Sequence, residues 1–275
     1  MARAIGALRA HWPEYLIEAA LLATLMIGAG VLGTLLGAGP EALRRALPGP
    51  LGRRALMGVG MGLVAMALTY SPWGQRSGGH LNPAMTLTFY RLGKVAGWDA
   101  AFYVTAQMTG AAGGVLLVKL WYGAAFSGPP VRGIVTMPGM LGALVAFAAE
   151  LGISSLMMGV VLAVSNSRRP HLTGLCTGLL AALFITFEAP LSGSSMNPAR
   201  SFAAALHAGA WHGFWVYLGA PPLGMLLAAA VFVAVRGRAG VRCAKLHHGT
   251  KQRCIFLDCG YATASGARGA GRDGS

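Results

Sequence analysis

Six apolar runs constrain this 275-residue chain more than any other feature. They cover residues 15–36, 55–71, 100–122, 140–164, 172–187 and 214–235. Crossing about 30 Å of hydrocarbon takes about 20 residues of helix. Because lipid offers no hydrogen bonds, each span must satisfy its own backbone, so these runs are read as transmembrane helices. The composition agrees. Only 11% of residues are charged, against about 25% in soluble domains, and the mean hydropathy is +0.58. The 41 glycines allow helix backbones to approach closely. No nucleophile–base pair or metal constellation stands out, so an enzyme is not expected, nor is a cofactor or a metal. Residues 1–13 are short and mixed and lack a small-residue cleavage site, so the first run is expected to stay as a span.

Two further apolar segments, 81–90 and 198–206, are too short to cross. Each begins with the same tripeptide, Asn82-Pro83-Ala84 and Asn197-Pro198-Ala199. Proline suits the first turn of a helix, where its missing N–H had no partner, and asparagine suits the cap before it. Two such tripeptides at matching places arise by chance in on the order of one chain in a thousand or fewer. The chain therefore contains an internal repeat. Each half reads as two spans, a half-helix and a third span, and an odd number of crossings inverts the second half relative to the first. The expected fold is all-α: six transmembrane helices plus two re-entrant half-helices. The expected organisation is an N-terminal segment over 1–13, a channel-like domain over 14–235 with repeats at about 14–125 and 139–235, and a basic, disordered tail over 236–275.

The repeated motif carries its own chemistry. If inversion brings both half-helix starts together at mid-membrane, two positive dipole ends of about +0.5 charge each face one point. Cations are repelled there. Asn82 and Asn197 would hold backbone N–H groups with their oxygens and offer amide donors to a passing solute. Donors of fixed direction orient the central water and break a proton wire. Glu18 and Glu150 each lie inside the first span of a half, where a carboxylate must be bonded to be tolerated. They are expected to accept backbone N–H groups from the re-entrant loop of their own half, in preference to a proton-relay role.

The formal net charge is +14, but the basic residues are scattered and form no nucleic-acid patch. Fifteen Lys and Arg fall on the side of both termini and six opposite, leaving Arg200 in the second short segment. That asymmetry puts both termini in the cytoplasm. In the tail, Cys243, Cys254 and Cys259 have no paired CxxC spacing, and His247 and His248 lie between them irregularly. Free thiols are expected there rather than a zinc site.

The segments SGGHLNPAMT and SSMNPARSF resemble the two signature loops of the aquaporins, the major intrinsic proteins, and the likeness extends over about residues 14–235. It implies one pore per subunit, a homotetramer in the cell membrane, and a narrow filter beyond the Asn-Pro-Ala centre. Arg200 matches the family's filter arginine. By offset from the motifs, the other filter positions fall on Gly62, or on its neighbours Met61 or Leu63 if the alignment slips, on Ile185 and on Ser194. This filter is atypically wide, lacking the aromatic–histidine pinch of narrow water channels and the aromatic pair of glycerol channels. Ser201, Ala205 and the Phe214-Trp215 pair nevertheless resemble the water-channel subgroup. The implied function is a passive channel for water and small neutral solutes that excludes protons and ions. An aquaglyceroporin-like channel is the alternative, and a secondary transporter a remote one. His80 reads as a packed or pore-lining neutral residue in preference to a pH gate, and Glu188 as a partner of Arg200 or of an outer-loop Arg, or as a solvated carboxylate.

Overall fold

The computed structural model describes residues 2–248 and 252–261, all helix and loop with no strand among them. The helices of nine or more residues are, in chain order, α1 (Ala2–Ala38), α2 (Pro50–Tyr70), α3 (Pro83–Arg91), α4 (Gly97–Tyr122), α5 (Ala143–Ser165), α6 (Thr173–Phe187), α7 (Pro198–Ala208) and α8 (Phe214–Arg236). Six of these are long and apolar enough to cross a membrane, the fifth counted from Pro170. The half-helices α3 and α7 start at the two Asn-Pro pairs.

The spans pack in the same way in both halves. In each, the first span lies along the third, α1 on α4 and α5 on α8, while the two second spans, α2 and α6, pair across the repeats. Small residues make these seams. A Cβ on Gly114 of α4 would lie 2.4 Å from the Ala23 carbonyl of α1, and one on Gly224 of α8 would lie 2.4 Å from the Leu151 carbonyl of α5. Lipid tails are as apolar as leucine, so such backbone contact supplies the attraction that hydrophobicity cannot. The half-helices interlock the repeats, because α7 packs on α4 of the first half and α3 on α8 of the second.

Two segments depart from the sequence expectation. Residues 2–13 continue α1 rather than preceding it, with Pro13 inside the helix. Their Ala, Leu and Arg are good helix formers. Close to Pro13, the Ala7 and Ala10 carbonyls accept from Tyr15 Oη and Arg253 Nη2. The other departure is the tail, expected as disordered. Val241, Cys243, Ala244, Leu246 and Phe256 are buried in one cluster with Tyr15, Phe89 and Tyr103, at the face that carries both chain ends. Polar ties hold this segment, among them Leu246 N–H to Gly78 O (3.0 Å), Leu257 N–H to Lys94 O (2.9 Å), Tyr261 Oη to Ser165 O (2.8 Å) and Arg253 to Glu14 (2.6 Å). Its apolar residues are few, but they fall where the face leaves Gly78, Phe89 and Tyr103 to be covered. The Gly/Ala/Ser-rich stretch over 262–275 lies outside the described residues.

The α2–α6 seam is a place of close backbone approach next to the cavity. A Cβ on Gly62 would sit 2.5 Å from the Gly178 carbonyl, whereas one on Gly113 meets nothing within 4 Å. Gly62→Ala should therefore cost about 1–3 kcal/mol through overpacking, while Gly113→Ala leaves stability unchanged. Thermal unfolding midpoints in detergent, compared with the wild type, check both.

Candidate functional site

The site is built on two backbone turns. Asn82 and Asn197 are extended caps of α3 and α7: Asn82 Oδ1 accepts from Ala84 N–H (2.9 Å), and Asn197 Oδ1 from Ala199 N–H (3.0 Å) and Arg200 N–H (3.4 Å). Each asparagine also donates across the repeat boundary. Asn82 Nδ2 binds Met196 O and Asn197 Nδ2 binds Leu81 O, both at 2.7 Å. An amide carries two N–H groups, so each asparagine spends one on the opposite loop and keeps one for the cavity that both line. The crossed bonds lock the rotation of both amides.

The carbonyls that receive these bonds belong to residues in an unusual conformation. Leu81 and Met196 have φ of 52° and 53°, a left-handed backbone that side chains of their size rarely adopt. Such a residue costs about 1–3 kcal/mol and persists only where the surroundings over-determine it. Two buried carboxylates do so here. Glu18 accepts from His80 N–H (3.0 Å), Leu81 N–H (2.8 Å), the Ser77 hydroxyl (2.8 Å) and Gln107 Nε2 (2.8 Å). Glu150 accepts from Ser195 N–H (2.6 Å), Met196 N–H (2.7 Å) and the Ser192 hydroxyl (2.7 Å). The symmetry extends one layer outward, where Tyr103 and Tyr217 donate to the Ser77 and Ser192 carbonyls at 2.6 Å.

A cavity of about 140 Å³ runs past both asparagines. Ile185, Ser194 and Arg200 line it, as the motif offsets expect, but Gly62 does not: Met61 lines it instead. Gly62 is committed to the α2–α6 seam, where its missing side chain admits the Gly178 carbonyl. One residue along a helix is a turn of about 100°, so the neighbouring Met61 faces the cavity. The cavity is therefore narrower at this point than a glycine would make it. Ser194 has a hydroxyl with no hydrogen-bond partner among the described residues, and Arg200 Nη1 reaches Gly193 O at 3.5 Å. Glu188 forms no ion pair with Arg200 and is not solvated. It is buried, with one oxygen bonded to the Ser192 hydroxyl and the other unpartnered among the described residues. Ser201 stands behind the second loop, bonded to Thr136 (2.6 Å) and Ser195 (2.5 Å).

Toward the chain-end face the cavity passes His80 and ends at Leu246 of the C-terminal segment. His80 is buried, stacked between Phe89 and Phe256 at 5.3 Å each. Its Nε2 donates to the Ala244 carbonyl at 2.9 Å, since a carbonyl can only accept.

Residues 10–232 match the family described as Major intrinsic protein. The chain belongs to that family. Aquaporin NIP1-2 of Oryza sativa subsp. japonica is 32% identical over 219 residues, 77% of this chain and 72% of that relative. Aquaporin-4 of Rattus norvegicus is 33% identical over 172 residues, and the match spans 62% of this chain and little more than half, 53%, of that protein. Among solved structures, the aquaglyceroporin from Plasmodium falciparum superposes with a TM-score of 0.71 at 21% identity, covering 84% of this chain and 98% of that one, a likeness of fold. As a major intrinsic protein the chain is a channel and not an enzyme.

The motif offset places Gly62 ahead of its neighbour Met61, and nothing in the sequence marks the paired Ser77/Ser192 and Tyr103/Tyr217 supports or the place of the C-terminal segment beside the cavity. Nothing in the motif spacing marks the one-residue shift. The tail's Val241, Leu246 and Ile255-Phe256-Leu257 were a signal of burial.

Removing either carboxylate should collapse its loop. Glu18→Ala strands the His80 and Leu81 N–H groups, each costing about 1–3 kcal/mol when buried and unpaired. Glu18→Gln keeps one acceptor oxygen and should lose less. Unfolding midpoints of the purified variants, ranked wild type above Gln above Ala, check the order.

Proposed function

We propose that the chain forms a passive pore for water and small uncharged solutes that excludes protons and other ions, with Asn82, Asn197, Met61, Ile185, Ser194 and Arg200 as its working residues. The observation that carries this reading is the crossed pair of asparagine bonds. They hold two half-helix starts and two fixed N–H donors at one point of the cavity, where dipoles repel cations and a water's oxygen must accept from both sides. Arg200 adds a second positive constriction. Glu18 is saturated by four donors and Glu150 by three, which favours scaffolding over ion-coupled transport.

Aliphatic rather than aromatic side chains at Met61 and Ile185, with the Ser194 hydroxyl, leave more room beside Arg200 than an aromatic–histidine pinch would. This supports glycerol-sized neutral molecules as further cargo. The cavity lies within one chain, which suits one pore per subunit of a homotetramer. The excess of Lys and Arg on the chain-end face favours both termini in the cytoplasm of a cell-membrane protein.

The test is stopped-flow light scattering on proteoliposomes carrying Leu246→Ala, which trims the side chain at the mouth. Water flux clearly above empty vesicles is expected, and flux equal to the lipid background overturns the reading. On the same background, Met61→Phe with Ile185→His should suppress glycerol flux more than water flux. Equal loss of both would overturn the filter assignment.

A further inference from the structure

Three thiols and an imidazole converge in the C-terminal segment. The ligand atoms of Cys243, His248, Cys254 and Cys259 all lie within 4.8 Å of one another. Cys243 Sγ stands 3.5 Å from Cys254 Sγ, and Cys259 Sγ stands 3.1 Å from His248 Nε2. No disulfide joins them. Zinc–thiolate bonds of about 2.3 Å at tetrahedral angles place sulfurs about 3.8 Å apart and a sulfur about 3.6 Å from an imidazole nitrogen. The Cys243–Cys254 and Cys259–His248 separations are about 0.3–0.5 Å shorter than in that cage, and the remaining ones are no longer than 4.8 Å, so small side-chain adjustments bring all four onto one ion. The spacing Cys-x4-His-x5-Cys-x4-Cys is irregular as a motif, but it matches short loops that fold back on one centre. The sequence expectation is free thiols; the cysteines are free, and three of them converge with His248.

Two independent observations point to a cation at that centre. Lys245 is buried, and its ammonium donates to the Arg253 carbonyl at 2.7 Å, with no carboxylate paired to it among the described residues. A buried charge needs a counter-charge, and a divalent ion held by three thiolates and a neutral imidazole carries a net charge of minus one. The second is structural. Residues 241–248 and 252–261 contain no helix or strand of their own, yet they hold a fixed shape against the pore. A segment this small without regular structure needs a staple, and a thiolate-rich metal site supplies folding free energy directly.

We propose that Cys243, His248, Cys254 and Cys259 form a structural site for a soft divalent metal, zinc above all, that folds the C-terminal segment into a cap closing the chain-end mouth of the pore. The staple and the plug are parts of one segment. Leu246 lies two residues from His248, lines the cavity and is tied to Gly78 O. Phe256 lies two residues from Cys254 and covers Gly78, where a Cβ would meet its ring at 2.7 Å. His80 is bonded to Ala244, beside Cys243. Losing the metal frees the whole segment and uncovers the loop that carries Asn82. The closing role rests on the pore reading above, whereas the metal site does not.

The test uses the full-length protein. Elemental analysis of protein purified from zinc-containing medium should find about one zinc per chain, falling below about a tenth in Cys254→Ser with Cys259→Ser, and unchanged in the control Cys176→Ser. Cobalt exchanged into the site should show the visible absorption of a tetrahedral thiolate complex. In proteoliposomes, a membrane-permeant chelator should raise water flux several-fold in the wild type, up to that of Leu246→Ala, and have little effect on the double serine variant. Leu246→Ala should keep its zinc. Wild-type protein without zinc, or a double variant that keeps it, overturns the site. Zinc present but flux unchanged by its removal overturns the cap. A pore that conducts in no variant counts against the pore reading instead, since metal content is read independently.

Discussion

Two carboxylates buried in the first span of each half hold everything that follows. Glu18 and Glu150 bind the N–H groups of Leu81 and Met196, keeping those residues in a backbone conformation they would not choose. Only in that conformation do their carbonyls face the opposite asparagine. The chain of cause runs from Glu18 through Leu81 to Asn197, and from Glu150 through Met196 to Asn82. Neither half can complete its centre alone. Strain of about 1–3 kcal/mol at each turn is offset by charge-assisted hydrogen bonds of about 1.5–3 kcal/mol each.

The same interlock explains how the pore is assembled from short elements. Half-helices of nine and eleven residues would be marginal alone in water. Here each is capped by its asparagine, begun by its proline and packed against the last span of the other repeat. Glycine seams bring the spans close enough for this, and the seam at Gly62 is what turns Met61 toward the cavity. Packing between helices thereby decides which side chain of α2 lines the cavity.

Much of this was legible in the residues. Apolar runs, duplicated Asn-Pro pairs and symmetrically placed glutamates are strong local signals, and the inverted architecture follows from counting crossings. Arg200, Ile185 and Ser194 were reached because they sit on or near rigid motifs. The choice between Gly62 and its neighbour Met61 stays open in the sequence because an offset of twenty residues spans the short helix Pro72–Ser77, where one residue more or less leaves no mark in the pattern. The tail was harder for a different reason. Its order comes from long-range contacts, Phe256 on His80 and Arg253 on Glu14, and from donors that meet only after folding. A composition rich in Arg, Gly and Ser conceals both.

The central claim is that crossed asparagines and converging helix ends admit water while refusing protons. It is tested most directly by measuring osmotic water permeability and proton leak on the same proteoliposomes carrying Leu246→Ala. Water flux should rise in proportion to protein while the proton leak stays at that of empty vesicles. A proton leak that rises with protein alongside the water flux would contradict the account.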